Sequence, residues 1–283
     1  MTATLEHAPA PAFLELEITR NCNEFCDHCY ADSGPRQGHG AMTSGDWLRV
    51  IDQAAASGVR DVQLIGGEPT QHPDFALIMR HALNAGLGVE VYTNLVQVRP
   101  EWWDLYAHPA AFLATSYYSD DPAEHDKITR RKGSHAATRA NIAEAVRRGI
   151  RIRAGIVDVR DGQRTAQARA DLESLGVANI NTDRTRNVGR GQRGKTADPG
   201  ELCGRCTHEN LAVSPDGDVW GCTISRFLPP AGNLRDHTLT EVLASPGMAA
   251  LTAMIPPRHK GCQPGDSAPS VCGPQVCNPA GRP

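Results

Sequence analysis

The 283-residue chain is long enough to bury a substantial core, and its formal net charge at pH 7 is only −3. This near balance offers no basic field to a nucleic-acid backbone, and no segment approaches the roughly twenty apolar residues that span a bilayer. The amino terminus lacks the basic start and apolar stretch of a signal peptide. We therefore expect a cytoplasmic protein without nucleic-acid or membrane partners, whose nine cysteines serve metal binding or redox catalysis rather than disulfides.

Short apolar strands alternate with amphipathic helical stretches over the first two thirds of the chain. The predicted strands are Phe13–Ile18, Val62–Ile65, Val89–Thr93, Phe112–Tyr117, Ile150–Val157 and Val177–Ile180. The predicted helices are one that opens at Met42–Ser44 and ends at Gly58, and three over Asp74–Asn84, Asn141–Arg148 and Thr165–Leu175. Strands joined by helices run parallel, so the sequence predicts an α/β fold with a partial (β/α)6 barrel, two units short of a closed (β/α)8 TIM barrel. The active face of such a barrel lies at the carboxyl ends of its strands.

The composition changes after the sixth predicted strand. A glycine- and arginine-rich linker, residues 185–200, is expected to separate the barrel, residues 1–184, from a small carboxyl-terminal domain, residues 201–283. The predicted elements of that domain are two strands around a Pro-Asp-Gly turn, Asn210–Ser214 and Asp218–Cys222, and a short helix, Thr240–Ala244. The stretch from Ile255 onward has few apolar residues to bury, so it needs metal ligation or docking to become ordered.

Three cysteines, Cys22, Cys26 and Cys29, follow the first predicted strand in a C-x3-C-x2-C pattern. Three thiolates on one short loop ligate only three irons of a [4Fe-4S] cube, so the fourth iron keeps an open position for a small molecule. A zinc site is the alternative, but zinc sites usually close with a fourth Cys or His. His28, inside the loop, is the candidate for that fourth ligand.

A Gly-Gly-Glu-Pro turn, formed by Gly66, Gly67, Glu68 and Pro69, ends the second predicted strand. A glycine pair alone is typical of an ordinary turn, but here it accompanies the three cysteines. The two motifs together resemble the radical S-adenosylmethionine (SAM) superfamily. The resemblance implies that SAM chelates the open iron, that the turn holds its amino group, and that one electron from the cluster yields a 5'-deoxyadenosyl radical that takes hydrogen from the substrate. The family pattern has an aromatic residue at the position of His28.

Three further polar residues are candidate SAM contacts. Asn94 resembles the asparagine that ends the third strand in the family, and Ser116 resembles the serine that approaches the SAM ribose in its SPASM and twitch members. Arg153 lies on the fifth predicted strand and is a candidate for the SAM carboxylate. Polar strand ends are common, so a purely structural or solvent-exposed role is the alternative.

The second half of the chain resembles the SPASM/twitch extension, which carries auxiliary iron-sulfur clusters. Its six cysteines suffice for one closed auxiliary [4Fe-4S] cluster, with zinc as the alternative. The expected ligands are Cys203, Cys206, Cys222 and either Cys272 or Cys277. Cys262 is then the candidate for a thiol outside the ligand set.

Taken together, these features predict an enzyme that abstracts hydrogen from an unactivated carbon. In size and in its surplus thiol the chain resembles aminoglycoside epimerases, which favours epimerisation of an aminosugar. Inversion needs hydrogen returned to the opposite face, so Cys262 is the candidate second donor. Glu15 and Glu17, on one face of the first strand, suit a cationic aminoglycoside substrate.

Two other functions remain open. One is crosslinking or epimerisation of a ribosomal precursor peptide, and the other is a non-catalytic iron-sulfur redox protein. The expected partners are a small-molecule substrate or a precursor peptide, together with a reductant such as a flavodoxin or a ferredoxin.

Overall fold

The structure is a computed structural model that describes residues 11–257. The strands are β1 Phe13–Thr19, β2 Asp61–Gly66, β3 Gly88–Tyr92, β4 Ala111–Ser116, β5 Ile152–Asp158, β6 Asn179–Arg184, β7 Asn210–Val213 and β8 Val219–Trp220. The α-helices are α1 Ser44–Ala56, α2 Phe75–Asn84, α3 Trp102–Tyr106, α4 Pro122–Thr129, α5 Ser134–Arg147, α6 Thr165–Ser174, α7 Leu239–Leu243 and α8 Pro246–Met254.

All the strands belong to one sheet, in the order β6-β5-β4-β3-β2-β1-β7-β8. Each strand from β1 to β5 pairs in parallel with the next along the chain. Parallel neighbours need crossover connections, and the helices between the strands supply them. The expected α/β fold with a parallel sheet is confirmed.

The carboxyl-terminal hairpin of β7 and β8 extends the same sheet. β7 pairs in parallel with β1, from Phe13 opposite Asn210 to Leu16 opposite Val213, and β8 pairs antiparallel with β7. The cysteine-rich segment therefore begins on the barrel, directly beside the strand that leads to the first three cysteines.

Helix α1 illustrates how the sequence positions the outer layer. Thr43 caps it, because the amide of Asp46 donates to the Thr43 hydroxyl and the Asp46 carboxylate accepts from the Thr43 amide. Trp47, Val50 and Ile51 recur at helical spacing and are buried in the main hydrophobic core against the sheet.

The structure adds helices α3, α4 and α8, which the hydrophobic pattern does not predict. α4 is rich in charge and only weakly amphipathic, yet it forms because Asp121 caps its first turn and Pro122 follows that cap. α5 starts at Ser134, and β6 runs from Asn179 rather than from Val177. No helix within residues 11–257 is long and apolar enough to cross a membrane.

Candidate active site

The three amino-terminal cysteines lie on the loop that follows β1, and their side chains line one cavity of about 160 Å³. The amide of Glu24 donates to Cys22 Sγ at 3.4 Å, and the amide of Ser33 donates to Cys29 Sγ at 3.4 Å. Burial raises the pKa of the Cys22 and Cys26 thiols, so a bound cation is needed to hold them as thiolates at neutral pH. Three cysteines that line one cavity, two of them with amide donors on the sulfur, are a donor set that fits an iron-sulfur cluster.

The rest of the cavity wall comes mainly from the carboxyl ends of the parallel strands. It includes Gly66 and Gly67 at the end of β2, Tyr92 and Asn94 at the end of β3, Ser116 in β4, Val157 in β5 and Asp183–Arg186 at the end of β6. Four of the predicted SAM contacts, Gly66, Gly67, Asn94 and Ser116, are thus brought together with the cysteines. This is the edge of the sheet at which a parallel barrel presents its ligands.

The two glycines of the turn are required by a close approach of two backbone segments. The amide of Gly67 donates to Thr19 O at 2.7 Å, and the amide of Glu68 donates to Asn21 O at 2.8 Å. A Cβ on Gly67 would lie 2.2 Å from Asn21 O, and a Cβ on Gly66, whose φ is +137°, would lie 2.3 Å from Thr19 O. The turn therefore braces the start of the cysteine loop, a reason for glycine that does not depend on SAM.

Glu68 is buried and holds the turn against the end of β3. Its carboxylate accepts hydrogen bonds from the amide and hydroxyl of Thr70, from the hydroxyl of Thr93 at 2.7 Å and from the amide of Asn94 at 2.8 Å. Burial raises the pKa of Glu68, although these donors oppose the shift. Pro69, also buried, starts the short 3-10 helix that carries Thr70. Glu68 positions Asn94 rather than lining the cavity.

Asn94 and Ser116 are fixed by neighbours on the same wall. The side-chain amide of Asn94 donates to Asn23 Oδ1 at 2.6 Å, which joins the end of β3 to the cysteine loop. The hydroxyl of Ser116 lies 3.1 Å from that of Tyr92. Both residues are therefore presented to the cavity in set orientations.

Arg153 has a different partner from the one its sequence position suggested. It is buried, its guanidinium donates two hydrogen bonds of 2.8 and 2.7 Å to Glu90, and it lies over the ring of Tyr92. Burial opposes its charge, but Glu90 outweighs this effect and raises the pKa of Arg153. The side chain lies neither on the cavity wall nor in solvent, because this ion pair inside the barrel occupies it.

The predicted linker contributes a residue that the sequence did not single out. Arg190 donates to Cys26 O at 2.8 Å and to Ser33 O at 2.7 Å, and its own amide donates to Cys29 O at 2.9 Å. Its guanidinium also lies 3.9 Å from the ring centre of Phe25. Arg190 thus fastens the outer side of the cysteine loop through three of its backbone carbonyls. The glycines flanking it were the only signal, and such glycines are common in linkers.

His28 occupies the cavity wall between Cys26 and Cys29. Its ring packs edge-on against Tyr118, with centroids 5.0 Å apart, and Nδ1 is buried without a hydrogen-bond partner among residues 11–257. Burial lowers the pKa of His28 to about 4, so the imidazole is neutral at physiological pH. A neutral ring in this place can hydrogen-bond a ligand in the cavity.

The expected acidic lining of the barrel mouth is not an open anionic surface. Glu15 accepts from the amide of Thr223 at 2.7 Å, and Glu17 pairs with Arg226, and both glutamates are buried. Burial raises the pKa of each carboxyl group. These carboxylates are used to attach the segment after β8 to β1, which corrects the expectation that they form an open acidic surface for a cationic substrate.

Cys203, Cys206 and Cys222 are brought together on the hairpin side of the barrel. All three are buried in a small apolar cluster, and the Sγ atoms of Cys206 and Cys222 lie 3.0 Å apart. The remaining cysteines of the prediction, Cys262, Cys272 and Cys277, lie outside the described residues.

Comparison with known proteins identifies the family. Residues 16–163 match the radical SAM superfamily. The chain belongs to the radical SAM superfamily. Residues 203–272 match a second family, the SPASM iron-sulfur cluster-binding domain. The radical SAM match confirms the expected [4Fe-4S] cluster and SAM, and the SPASM match confirms auxiliary iron-sulfur.

The curated relatives of this radical SAM chain include a peptide cyclase and a maturase, besides a nucleotide dehydratase and a heme synthase. It is 33% identical over 172 residues to the PqqA peptide cyclase of Ruegeria pomeroyi, which covers 58% of the chain and 45% of that protein. It is also 33% identical over 192 residues to the mycofactocin maturase MftC of Mycobacterium tuberculosis, covering 64% and 46%. The chain thus spans about half the length of these relatives.

The fold is shared with a solved radical SAM structure, Streptococcus suis SuiB bound to its precursor peptide SuiA. The TM-score is 0.74 at 15% identity, and the match covers 95% of this chain and 73% of SuiB. At this identity the likeness shows the fold alone.

Proposed function

We propose that this protein is a radical SAM enzyme that modifies a ribosomal precursor peptide. The observation that carries the proposal is its similarity to a peptide cyclase and to a mycofactocin maturase over about six tenths of the chain. Aminosugar epimerisation has less support, because the two glutamates that favoured a cationic substrate are buried and bonded within the protein.

Cys22, Cys26 and Cys29 are the proposed ligands of the SAM-binding cluster. The amides of Glu24 and Ser33, which donate to two of these sulfur atoms, would stabilise them as thiolates. When both are bound, the cluster and SAM would provide the chemistry that abstracts a hydrogen atom from carbon. The protein's own part is to orient SAM along the cavity wall, where the proposed contacts are Gly66, Gly67, Asn94 and Ser116, and to exclude water.

The proposed auxiliary cluster lies on Cys203, Cys206 and Cys222, with Cys272 or Cys277 as the fourth ligand. Cys262 remains the proposed hydrogen donor if the peptide product is an epimer. A crosslink would need no such donor, because both joined atoms lose hydrogen.

A second cavity is the proposed place for part of the peptide. It measures about 250 Å³, and Glu17, Trp220 and Arg226 are among its lining residues.

The test is conversion of a short peptide encoded beside the gene. Reconstituted enzyme, SAM and a reductant should change the peptide's mass by loss of hydrogen for a crosslink, or leave its mass unchanged with an inverted residue for an epimer. The matched control is the Cys22→Ala/Cys26→Ala/Cys29→Ala variant, which should give no product. Conversion of an aminoglycoside but of no neighbouring peptide would contradict the proposal.

A further inference from the structure

Four arginines surround one aspartate on the surface of the barrel. Arg130, Arg160, Arg190 and Arg193 line an open concavity of about 480 Å³ together with Asp27, and these five residues are called the arginine patch below. Arg130 and Arg193 are exposed, and Arg160 and Arg190 are partly exposed.

The arginine patch lies on the outer side of the cysteine loop. Cys26 and His28 line the inner cavity, whereas Asp27, the residue between them, lines the patch. Arg190, a patch residue, donates directly to the carbonyl oxygen of Cys26 at 2.8 Å. The patch is therefore separated from a proposed cluster ligand by one backbone group, and it lies on the side away from the cavity where a substrate carbon must meet SAM.

The charge of the patch is strongly positive although the chain as a whole carries −3. Two of its arginines, Arg130 and Arg160, hold Asp27 at 2.5 Å each, and Arg190 pairs with Asp32 at 2.7 Å. Asp27 therefore lies between two guanidinium groups, an arrangement that pairs a carboxylate with positive charge. When Asp32, the partner of Arg190 outside the patch, is counted as well, four guanidinium groups against two carboxylates leave a net charge of +2.

We propose that the arginine patch is the docking surface for a small acidic electron-carrier protein. The inference rests on the proposed radical SAM activity, which consumes one electron for each cleavage of SAM. On docking, the reduced carrier loses one electron and the cluster behind Cys26 gains it, with no proton or atom transferred. A positive field beside the cluster attracts an acidic carrier to the surface nearest the cluster, where the path for electron transfer is shortest, and repels basic proteins.

The test compares reduction of the cluster by protein donors and by a cation. Holoenzyme is mixed with flavodoxin hydroquinone, with reduced ferredoxin in a second arm, and with the methyl viologen radical cation in a third, and bleaching of the cluster is followed by stopped-flow absorbance. The variants are Arg193→Glu and the milder Arg130→Gln. The matched control is Arg80→Glu, an exposed arginine on the outer helix α2. Iron content is measured for every variant.

We expect Arg193→Glu to slow reduction by at least one protein donor by about tenfold or more at low ionic strength. The difference should shrink in 1 M salt, where the screening length falls to about 3 Å. In all variants, reduction by methyl viologen and the SAM cleavage that it supports should stay within about twofold of wild type. Methyl viologen is a small cation that reaches the cluster without docking on the arginine patch. The methyl viologen experiment therefore distinguishes a failure of the docking proposal from a failure of the proposed radical SAM activity.

Three results would overturn the proposal. The first is an equal loss of rate with all three donors, which would mean that the arginines act on the cluster. The second is an equal loss in Arg80→Glu, which would reflect net charge alone. The third is weaker binding of a peptide substrate with unchanged reduction by both protein donors, which would assign the patch to an acidic segment of that peptide.

Discussion

The ion pair between Arg153 and Glu90 permits a direct test of one SAM contact that was predicted from the sequence, Arg153. Two variants, Arg153→Met and Glu90→Gln, break the same pair from opposite sides. Both side chains are at least nine tenths buried, so the partner left behind cannot reach water. If Arg153 only neutralises Glu90 and does not bind SAM, both variants should lose stability and neither should lose affinity for SAM.

The magnitude follows from the buried charges. Removing one partner of a buried ion pair costs about 3–5 kcal/mol, because the other charge is left uncompensated. The two variants should not lose the same amount of stability. A carboxylate can take up a proton and become neutral, whereas a guanidinium cannot lose one, so Glu90→Gln should approach the upper end and Arg153→Met the lower end. Glu90 also keeps the hydrogen bond from Gln63 at 2.5 Å in the Arg153→Met variant.

Chemical denaturation measures the stabilities, and equilibrium dialysis of anaerobic holoenzyme measures SAM affinity. The expected result is a loss of several kcal/mol in both variants and dissociation constants for SAM that agree within about twofold. A tenfold weaker SAM affinity in Arg153→Met, with wild-type affinity in Glu90→Gln, would refute this reasoning. It would mean that Arg153 leaves Glu90 to bind the SAM carboxylate.

Other residues of the site give further predictions. Gly67→Ala should destabilise the protein by about 1–3 kcal/mol, because its Cβ would overlap a backbone oxygen, whereas Gly38→Ala, with nothing within 4 Å, should be near neutral in thermal unfolding. Arg190→Lys should speed iron loss to a chelator, because a lysine cannot serve two carbonyls and stack on Phe25 at once, while the exposed Arg36→Lys should not. Burial, and then the neighbouring His135, lower the pKa of His125 to about 4, so the native state binds fewer protons than the unfolded state and stability should fall as pH drops below 6.5. Between pH 7.5 and 5.5 His125→Asn should lose about 1.4 kcal/mol less than wild type in denaturant titrations, and parallel curves would contradict this.

The positions of the barrel strands could be predicted because parallel strands buried on both faces appear as short apolar runs. Strands β1 to β5 fall within two residues of their predicted ends. The helices were harder to predict from the sequence. α3 is short, and α4 owes its start to Asp121 and Pro122 rather than to a hydrophobic stripe. A periodicity analysis has little to detect in either.

The candidate site, too, could be predicted only in part. The cysteine spacing and the glycine turn are local in sequence, so they could be identified directly. The contacts of Arg153 and Glu17 could not, because Glu90 and Arg226 are distant in sequence and only the closed barrel brings them near. For a charged residue on a buried strand, sequence gives the direction of the side chain but not the partner that neutralises it.

The cysteine loop is held from two sides by parts of the chain that sequence analysis treated separately. On the inner side the Gly67 and Glu68 amides bind the backbone that enters the loop, and Glu68 fixes Asn94, which in turn bonds to Asn23. On the outer side Arg190, from the predicted linker, binds the carbonyls of Cys26 and Ser33. A loop held on both sides keeps its sulfur atoms in place, which the proposed cluster requires when it accepts an electron. The predicted linker is thus part of the site itself, and a barrel truncated before Arg190 would lack one of the two supports of its cysteine loop.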